Sequence, residues 1–349
     1  MREGGLEPPR SCLHKVLSLA RLPFRHSRVR SNHSIYPAAA ANSSRSGQDC
    51  LLSQRRVHHK IIDSTLKLSI IIATHVRPDS LNRLIGSLSD QFKPDRHELF
   101  IAENGSTAPA LVGSRIPLTH LHEPRRGKCR IQNRAIAAAR GEIIVCLDDD
   151  LLVSPNYLAA VENFFASWPQ YAAMKGRILA LEDPMVKVGA LASFLDLPLV
   201  DHGDAVIEVR GVLGANMAFQ ASALRTVGPF DERLGPGAGG HEEETEMSQR
   251  LRRGGFRIGY APEALVLHEV DPERASRERF IRIARERGYC RTIHERHSKR
   301  EALAALAVAR TRLFVARALN APIERLAREE RRFAVARGIL DGVRNPRRP

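Results

Sequence analysis

The feature that most constrains this chain is an alternation of short apolar runs with helical patterns, which begins at residue 67. Leu68–Ala73 and Ile143–Leu147 are rich in β-branched residues, as is typical of strands buried on both faces of a sheet. Between them, Pro78 opens a segment with apolar residues at helical spacing, and Gly127 precedes another. This alternation predicts an α/β fold with a doubly wound, mostly parallel sheet flanked by helices.

Polar residues follow three predicted strands at their carboxyl ends, where ligands bind in doubly wound sheets. They are Thr74, Glu103 and the triplet Asp148–Asp150. Three adjacent carboxylates repel one another and destabilise a fold unless a cation offsets their charge. Mg²⁺ and Mn²⁺ take oxygen ligands, often one or two carboxylates together with substrate phosphates. The triplet therefore predicts a divalent metal site, and a solvated turn in which one Asp caps the backbone is the alternative.

Three further segments carry candidate chemistry, and each also has a plainer explanation. Glu242–Glu246 follows the glycine-rich segment Pro236–Gly240, which we expect to be mobile. One of these carboxylates could act as a general base, or the group could only stabilise a helix start through its dipole. His268 follows an apolar strand, and it could be a metal ligand or a packing residue. The basic segment 125–130 could contact phosphate at a helix start, or it could be a solvated face.

The positive charge of the chain lies at its two ends. Of a net charge of +15, residues 1–66 carry +7, residues 67–271 carry −4 and residues 272–349 carry +12. No RNA-binding aromatic signature interleaves the arginines of the C-terminal part, so we expect no nucleic-acid partner. Basic amphipathic helices over 273–340 instead predict contact with an anionic membrane surface, and a helical cap packed on the domain is the alternative.

The cysteines and the apolar runs indicate the compartment. The five cysteines are scattered without a C-x-x-C pair, which is typical of a reducing compartment. No apolar run approaches the roughly 18–20 residues that a membrane-spanning helix needs. We therefore expect a cytoplasmic protein, held at the inner face of the membrane if its basic tail binds lipid. Residues 1–66 are interpreted as a disordered leader, or as the product of a misplaced start, because they lack any sustained period.

Several motifs in order make residues 67–271 similar to glycosyltransferase family 2. Leu147–Leu151 resembles the family's L-D-D-D-L metal and ribose site, and Glu243–Met247 resembles its E-D-T-E-L segment with the catalytic base. Glu103–Ser106 resembles the D-N-G-S turn that holds the nucleotide base. Weaker or shorter resemblances to the family run through Ala73–Pro78, Gly127–Asn133, Gly214–Phe219, Val227–Glu232 and Leu267–Glu269.

The resemblance implies a GT-A fold with a nucleotide-binding half over 67–151, an acceptor half over 152–271 and a C-terminal Arg-rich helical extension over 272–349. It implies a metal-dependent, inverting transfer of a sugar from a nucleoside diphosphate sugar to a hydroxyl of a sugar, lipid-linked or glycan acceptor. Cell-surface polysaccharide or glycolipid synthesis is the implied setting. In the resemblance, Mg²⁺ or Mn²⁺ is bound by Asp150, His268 and Asp148. The donor is bound by Thr74, Glu103, Arg130, Asp148 and Asp149. The implied catalytic base is Glu244, with Glu243 as the second choice.

Two positions depart from the family, and two other functions stay open. Glu103 and Glu244 stand where the family has Asp, so each carboxylate reaches one methylene further. A nucleotidyltransferase can share this sheet and its use of Mg²⁺, but Thr74–Pro78 has no glycine for the loop such an enzyme needs. The other alternative is a basic protein that binds a membrane surface or nucleic acid through its tail.

Overall fold

The computed structural model describes residues 67–105 and 115–346. The interpretation of residues 1–66 as a leader, and the last residue of the Glu103–Ser106 motif, lie outside the described residues.

The first half of the described chain forms the parallel part of the sheet. Its elements are β1 (Leu68–Thr74), α1 (Pro78–Ser89), β2 (His97–Asn104), β3 (Thr119–Glu123), α2 (Lys128–Ala138) and β4 (Ile143–Asp148). Strand β1 pairs in parallel with β2 on one side and β4 on the other, and β2 pairs in parallel with β3. The carboxyl ends of β1 and β4 therefore meet at one edge of the sheet, with Ala73 opposite Asp148.

The second half extends the same sheet with strands of both directions. Its elements are β5 (Leu151–Val153), α3 (Tyr157–Ser167), β6 (Tyr171–Ala180), α4 (Pro184–Val188), a 3₁₀ turn (Gly189–Phe194), β7 (Ile207–Val209), β8 (Asn216–Gln220), α5 (Ala221–Val227), α6 (Glu243–Arg253) and β9 (Arg257–His268). The strand order is β3-β2-β1-β4-β8-β6-β9-β5, and β7 pairs with β9. Because β8 is antiparallel to β4, its first residue Asn216 pairs with Leu147 at the end of β4 that carries the Asp triplet.

Strand β9 is continuous over 12 residues. Its pairing with β6 shifts register between Ala261 and Leu265, opposite Gly176 and Arg177. Pro262 lies inside this irregularity, where its missing N–H removes no regular ladder bond. The bulge therefore lets one strand cross the whole sheet, from the core to His268 at the carboxyl edge.

Two apolar layers cover the sheet. On one face Ile70 and Ile72 of β1 pack in a cluster with residues of α1 and α3, and on the other Ile71 packs with residues of α2, α5 and α6. Strand β1 is buried along its whole length, as the β-branched run predicts. The sheet is thus a rigid platform, and its carboxyl edge is the part left to bind ligands.

Three helices follow the sheet: α7 (Arg277–His294), α8 (Lys299–Ala318) and α9 (Ile323–Arg344). Helix α7 contacts the sheet domain through an edge-to-face pair of Phe280 and Phe194, whose ring centroids lie 5.7 Å apart. Helix α9 packs closely against α7, where a Cβ on Gly288 would lie 2.0 Å from the Val335 carbonyl oxygen. In the described ranges, no helix is both long and apolar enough to span a bilayer.

Candidate active site

A cleft of about 640 Å³ lies at the carboxyl edge of the sheet, under α7. Seven of the nine site residues predicted from the sequence line it: Thr74, Asp148, Asp149, Asp150, Glu243, Glu244 and His268. The two that do not line it are Glu103 and Arg130. The fold therefore brings strand-end acids of the first half together with helix-start acids of the second half.

Asp149 links the ends of β1 and β4. Its carboxylate accepts a hydrogen bond of 2.7 Å from the Thr74 hydroxyl and one of 3.1 Å from Arg77. Burial raises the pKa of Asp149, although Thr74 and Arg77 oppose this rise. Thr74 and Asp149 are thus held by each other, and they shape the floor of the cleft.

Asp150 and His268 form the second pair. His268 donates from Nδ1 to the Glu269 carbonyl oxygen at 2.8 Å, so Nε2 is the ring nitrogen that faces Asp150. That Nε2 lies 3.4 Å from Asp150 Oδ1, while Asp150 Oδ2 accepts hydrogen bonds from Arg77 and Arg274. Burial opposes ionisation of Asp150, but His268 and the two arginines hold its pKa below its usual range. Asp150 is therefore an ionised carboxylate in a fixed orientation.

This pair fits a hard divalent ion only in part. Within 67–105 and 115–346, no group of three or more His, Cys, Asp and Glu side chains is placed to hold a metal by itself. Asp150 Oδ1 and His268 Nε2 supply two ligands, and Mg²⁺-type ions commonly take the others from substrate phosphates and water. The donor set thus fits a metal that arrives with its phosphate substrate.

Asp148 is held by a buried lysine. Lys128, the first residue of α2, donates from Nζ to Asp148 Oδ1 at 2.5 Å and lies 3.9 Å from Glu243 Oε1. Burial disfavours its charge, but the carboxylates of Asp148, Glu243 and Glu244 raise the pKa of Lys128, so it stays protonated. The lysine joins the strand-end acids to the acids at the start of α6.

Glu243 is buried beside Glu244 at the start of α6. Glu243 is 5% exposed, and burial together with its neighbour Glu244 raises its pKa to about 8. The two side chains share a hydrogen bond. A protonated Glu243 donates this bond, which leaves Glu244 as the carboxylate that can accept a proton from a ligand. The assignment of Glu244, rather than Glu243, as the base stays a prediction.

The loop before α6 is tied down rather than free. The Lys128 backbone N–H donates to the Pro236 carbonyl oxygen at 2.8 Å, and that of Gly240 donates to Gly235 at 2.8 Å. Gly237 has φ 83°, and a Cβ there would lie 2.8 Å from the Gly127 nitrogen. Only glycine lets the loop approach α2 so closely. The sequence did not predict these contacts, because the Pro236 hydrogen bond depends on a segment about 110 residues earlier, and mobility of the loop stays a prediction.

Arg130 does not reach the cleft. Its Nε donates to Glu232 at 3.1 Å, so its charge is already paired, and Arg126 and Lys128 of the same basic segment line the cleft instead. The contact of Arg130 with the donor stays a prediction, and the structure places this side chain outside the cleft. On a helix, only every third or fourth side chain points to the same side, and the loose motif did not define which residue of the segment faces the cleft.

Glu103 does not line the cleft, but it immediately precedes a residue that does. It is fully buried in β2, its Oε2 lies 2.9 Å from His120 Nε2, and no hydrogen-bond partner for its Oε1 is found among the residues that the structure describes. Asn104, the next residue, does line the cleft. Glu103 thus has one oxygen free for a ligand that would enter from this side.

Sequence reasoning missed most of the arginines of the site. Arg77 lies in the segment Ala73–Pro78, so the motif signalled it, but its role as a partner of two aspartates did not follow from the pattern. Arg274, Arg279 and Arg282 also line the cleft, although they belong to the tail that the charge count assigned to a membrane. No signal in the sequence distinguishes them from the other arginines of that tail.

Comparisons with known proteins identify the family. The model of glycosyl transferase family 2 matches residues 69–178, and that of glycosyl transferase family group 2 matches residues 143–322, about half of the chain. The chain belongs to glycosyltransferase family 2. This membership sets aside the nucleotidyltransferase alternative, and it covers both the strand-end acids and the acids of α6.

Two longer proteins are similar in sequence to part of this chain. The chain is 28% identical over 215 residues to the pre-mycofactocin glycosyltransferase of Mycobacterium tuberculosis, covering 58% of this chain and 42% of the relative. It is 25% identical over 245 residues to the O-antigen biosynthesis protein RfbC of Myxococcus xanthus, covering 63% of this chain and 18% of that protein. The chain thus spans less than half the length of these two relatives.

A solved structure shows the fold. The mannosyltransferase PcManGT from Pyrobaculum calidifontis, in complex with GDP-Man and Mn²⁺, superposes with a TM-score of 0.50 at 16% identity. The match covers 78% of this chain and 86% of the other. The predicted GT-A type fold, with its mostly parallel sheet flanked by helices and a C-terminal helical region, is confirmed.

Proposed function

We propose that this chain is a metal-dependent, inverting glycosyltransferase that moves a sugar from a nucleoside diphosphate sugar to an acceptor hydroxyl. The observation that carries the proposal is the presence in one cleft of the Asp150 carboxylate, His268 Nε2 beside it and the side chain of Glu244. The first two can bind a metal–diphosphate and the third can take a proton. The names of the relatives, and the nucleotide sugar and Mn²⁺ in the fold neighbour, support this assignment.

The donor end of the cleft is proposed to be the edge of β1 and β4. Asp150 and His268 would hold Mg²⁺ or Mn²⁺, which offsets the charge of the leaving diphosphate as a Lewis acid. Arg77 and Arg274 orient Asp150 for this purpose. Because Lys128 occupies one oxygen of Asp148, we assign Asp148 to the donor ribose rather than to the metal.

The nucleoside would lie against the β1–β2 side. Thr74 and Asp149 form the floor there, and the buried Glu103 Oε1, which has no partner among the described residues, belongs to the residue before the cleft-lining Asn104. A buried acceptor oxygen without a partner destabilises the free protein and gains a hydrogen bond when a donor group of the ligand arrives. We therefore propose that Glu103 accepts a hydrogen bond from the nucleotide base.

Glu244 would act as the base of the transfer. It would take the proton of the acceptor hydroxyl while that oxygen attacks the anomeric carbon from the side opposite the leaving diphosphate. Glu243 keeps its own proton and donates to Glu244, which holds the latter in place. In-line attack of this kind inverts the configuration at the anomeric carbon.

A thermal-shift screen tests the donor and the metal together. UDP-, GDP-, dTDP- and CDP-sugars are added with Mn²⁺, with Mg²⁺ or with EDTA, and a donor that binds only the folded chain raises its Tm. We expect one nucleotide class to stabilise the protein only with metal, and Asp150→Ala to abolish that effect. No response to any donor would contradict the proposal.

Release of the nucleoside diphosphate tests the base. Glu244→Gln should reduce release from the donor at least a hundredfold while leaving the metal-dependent Tm shift intact, since general-base catalysis contributes about 10²–10⁴-fold. Glu286→Gln removes a carboxylate from the same cleft and serves as the control. Near wild-type turnover in Glu244→Gln would reassign the base to Glu243.

We further propose that the acceptor is a lipid-linked or glycan molecule of cell-surface polysaccharide or glycolipid synthesis, met at the cytoplasmic face of the membrane. Support comes from α8, where Val308, Phe314 and Leu319 are exposed among arginines. Apolar side chains flanked by Arg are the composition that binds anionic lipid surfaces.

Co-sedimentation with vesicles tests the membrane contact. The full chain should sediment with phosphatidylglycerol vesicles but not with phosphatidylcholine vesicles, and Val308→Ser/Phe314→Ser should release it. Val186→Ser changes an even more exposed apolar residue on α4 and is the control. Equal sedimentation of the double variant and the wild type would remove the membrane role of α8.

A further inference from the structure

Helix α7 presents a row of charged residues to the cleft. Arg279, Arg282, Glu286 and Arg287 line it together with Ile283. The spacing of three and four residues places them on one face of the helix. This face closes the cleft on the side away from the sheet, and it belongs to none of the family motifs.

Most cations of the cleft are already paired with its acids. Arg77 and Arg274 contact Asp150, Lys128 contacts Asp148, and Arg287 donates two hydrogen bonds of 2.8 and 2.6 Å to Asp196. Each Asp at the carboxyl edge of the sheet, and Asp196 beside α7, therefore has a cation next to it.

Arg279 and Arg282 are different. Neither has an ion pair with any residue in the described part of the chain, and Arg282 is exposed. Arg126, which also lines the cleft, shares this lack of a partner there. The nearby Glu286 lies 3.8 Å from His241 Nε2. Burial lowers the pKa of His241 to about 4, and the charges of Arg287 and Arg279 add to this effect, because they disfavour a protonated imidazole beside them.

Arg279 and Arg282 follow Arg274 along the chain by five and eight residues. Arg274, which contacts Asp150, precedes α7, and the helix rises about 1.5 Å per residue, so Arg282 lies about 8 Å along the axis from Arg277. Arg274 is hydrogen-bonded to Asp150, whereas Arg279 and Arg282 have no described contact with it, so both guanidinium groups are available to a second anion. Guanidinium groups bind phosphate and carboxylate through paired hydrogen bonds.

We propose that the acceptor carries an anionic group, a phosphate or a carboxylate, which Arg279 and Arg282 bind while its hydroxyl meets Glu244. The inference rests on the proposed function, because it assigns the second substrate of the same cleft. It names the acceptor class by its charge, and the membrane contact of α8 is independent of it.

Isothermal titration tests the inference with three probes: glucose 6-phosphate, glucuronate and glucose. They are titrated into the full chain saturated with Mn²⁺ and the nucleoside diphosphate that the donor screen selects, so that the diphosphate position is filled. At least one anionic sugar should bind tenfold or more tightly than glucose. The better of the two identifies phosphate or carboxylate as the recognised group.

Two variants test whether Arg279 and Arg282 cause the preference for an anionic sugar. Arg279→Gln/Arg282→Gln should abolish the preference for the anionic sugar and leave the affinity for the nucleoside diphosphate within twofold. Arg328→Gln removes an exposed arginine of α9 that lies outside the cleft, and it should keep the preference.

Two results would overturn the inference. Equal affinity for glucose and both anionic sugars in the wild type removes the anion site. A tenfold loss of nucleoside diphosphate affinity in the double variant would assign the two arginines to the donor. Absence of any nucleoside diphosphate binding to the wild type is a different result, since it refutes the proposed function itself.

Discussion

Replacement of Glu243 by Gln should make the protein more stable at alkaline pH. The Glu243 pKa of about 8 lies above its ordinary value of 4.5 because the side chain is buried next to Glu244. A carboxyl group whose pKa is raised by folding stabilises the fold fully below pH 4.5, and this contribution is lost as the pH rises towards 8. Glutamine is uncharged throughout and can still donate a hydrogen bond to Glu244.

The size of the effect follows from the shift. At 1.36 kcal/mol per pKa unit, a rise from 4.5 to about 8 corresponds to at most about 5 kcal/mol of stability lost by the wild type across this range. The charge of Lys128, 3.9 Å away, already lowers this pKa and is included in the shift, whereas relaxation of the buried site when Glu243 ionises reduces the loss. We therefore expect Glu243→Gln to match the wild type near pH 5 and to exceed it by about 2–4 kcal/mol at pH 8.5.

Urea unfolding followed by circular dichroism at pH 5, 7 and 8.5 measures this difference. Glu278→Gln, on the exposed face of α7, is the matched control and should show no gain that grows with pH. A difference between Glu243→Gln and the wild type that stays constant from pH 5 to 8.5 would refute the proposed proton on Glu243. It would also remove the reason for preferring Glu244 as the base.

Two further predictions concern the scaffold. Gly288→Ala should destabilise the chain by more than about 2 kcal/mol, because its Cβ would lie 2.0 Å from the Val335 carbonyl oxygen. Gly86→Ala on α1 has nothing within 4 Å of the new Cβ, so it should stabilise the chain by about 0.5–1 kcal/mol. Thermal unfolding of both variants and the wild type measures these differences. Asn216→Ala should cost about 2–4 kcal/mol in urea unfolding, since the fully buried amide donates to two carbonyl oxygens, those of Arg177 and Ala264, and accepts from the Tyr157 hydroxyl. A change below 1 kcal/mol in Asn216→Ala would show that water replaces these bonds.

The motifs of the second half have structural explanations that the sequence did not supply. Asn216, in the segment Gly214–Phe219, ties β8 to β6 and β9. Arg250 of α6 donates to the carbonyl oxygens of Val227, Gly228 and Pro229, which fixes the segment Val227–Glu232. The motifs correctly predicted the family, but their residues act here through backbone contacts between distant elements.

The sequence alone determined the parallel half of the sheet, the position of the acids at its edge and the family. Runs of β-branched residues, helical spacing and strand-end carboxylates are local patterns, and short crossovers between such elements permit few topologies. The tertiary structure alone decided how the charges pair. Arg274 contacts Asp150 across 124 residues and Lys128 contacts Asp148 across 20, while Arg279 and Arg282 reach the same cleft without a described partner. Protonation and charge pairing depend on burial and on distances between segments far apart in the chain, which no local pattern encodes.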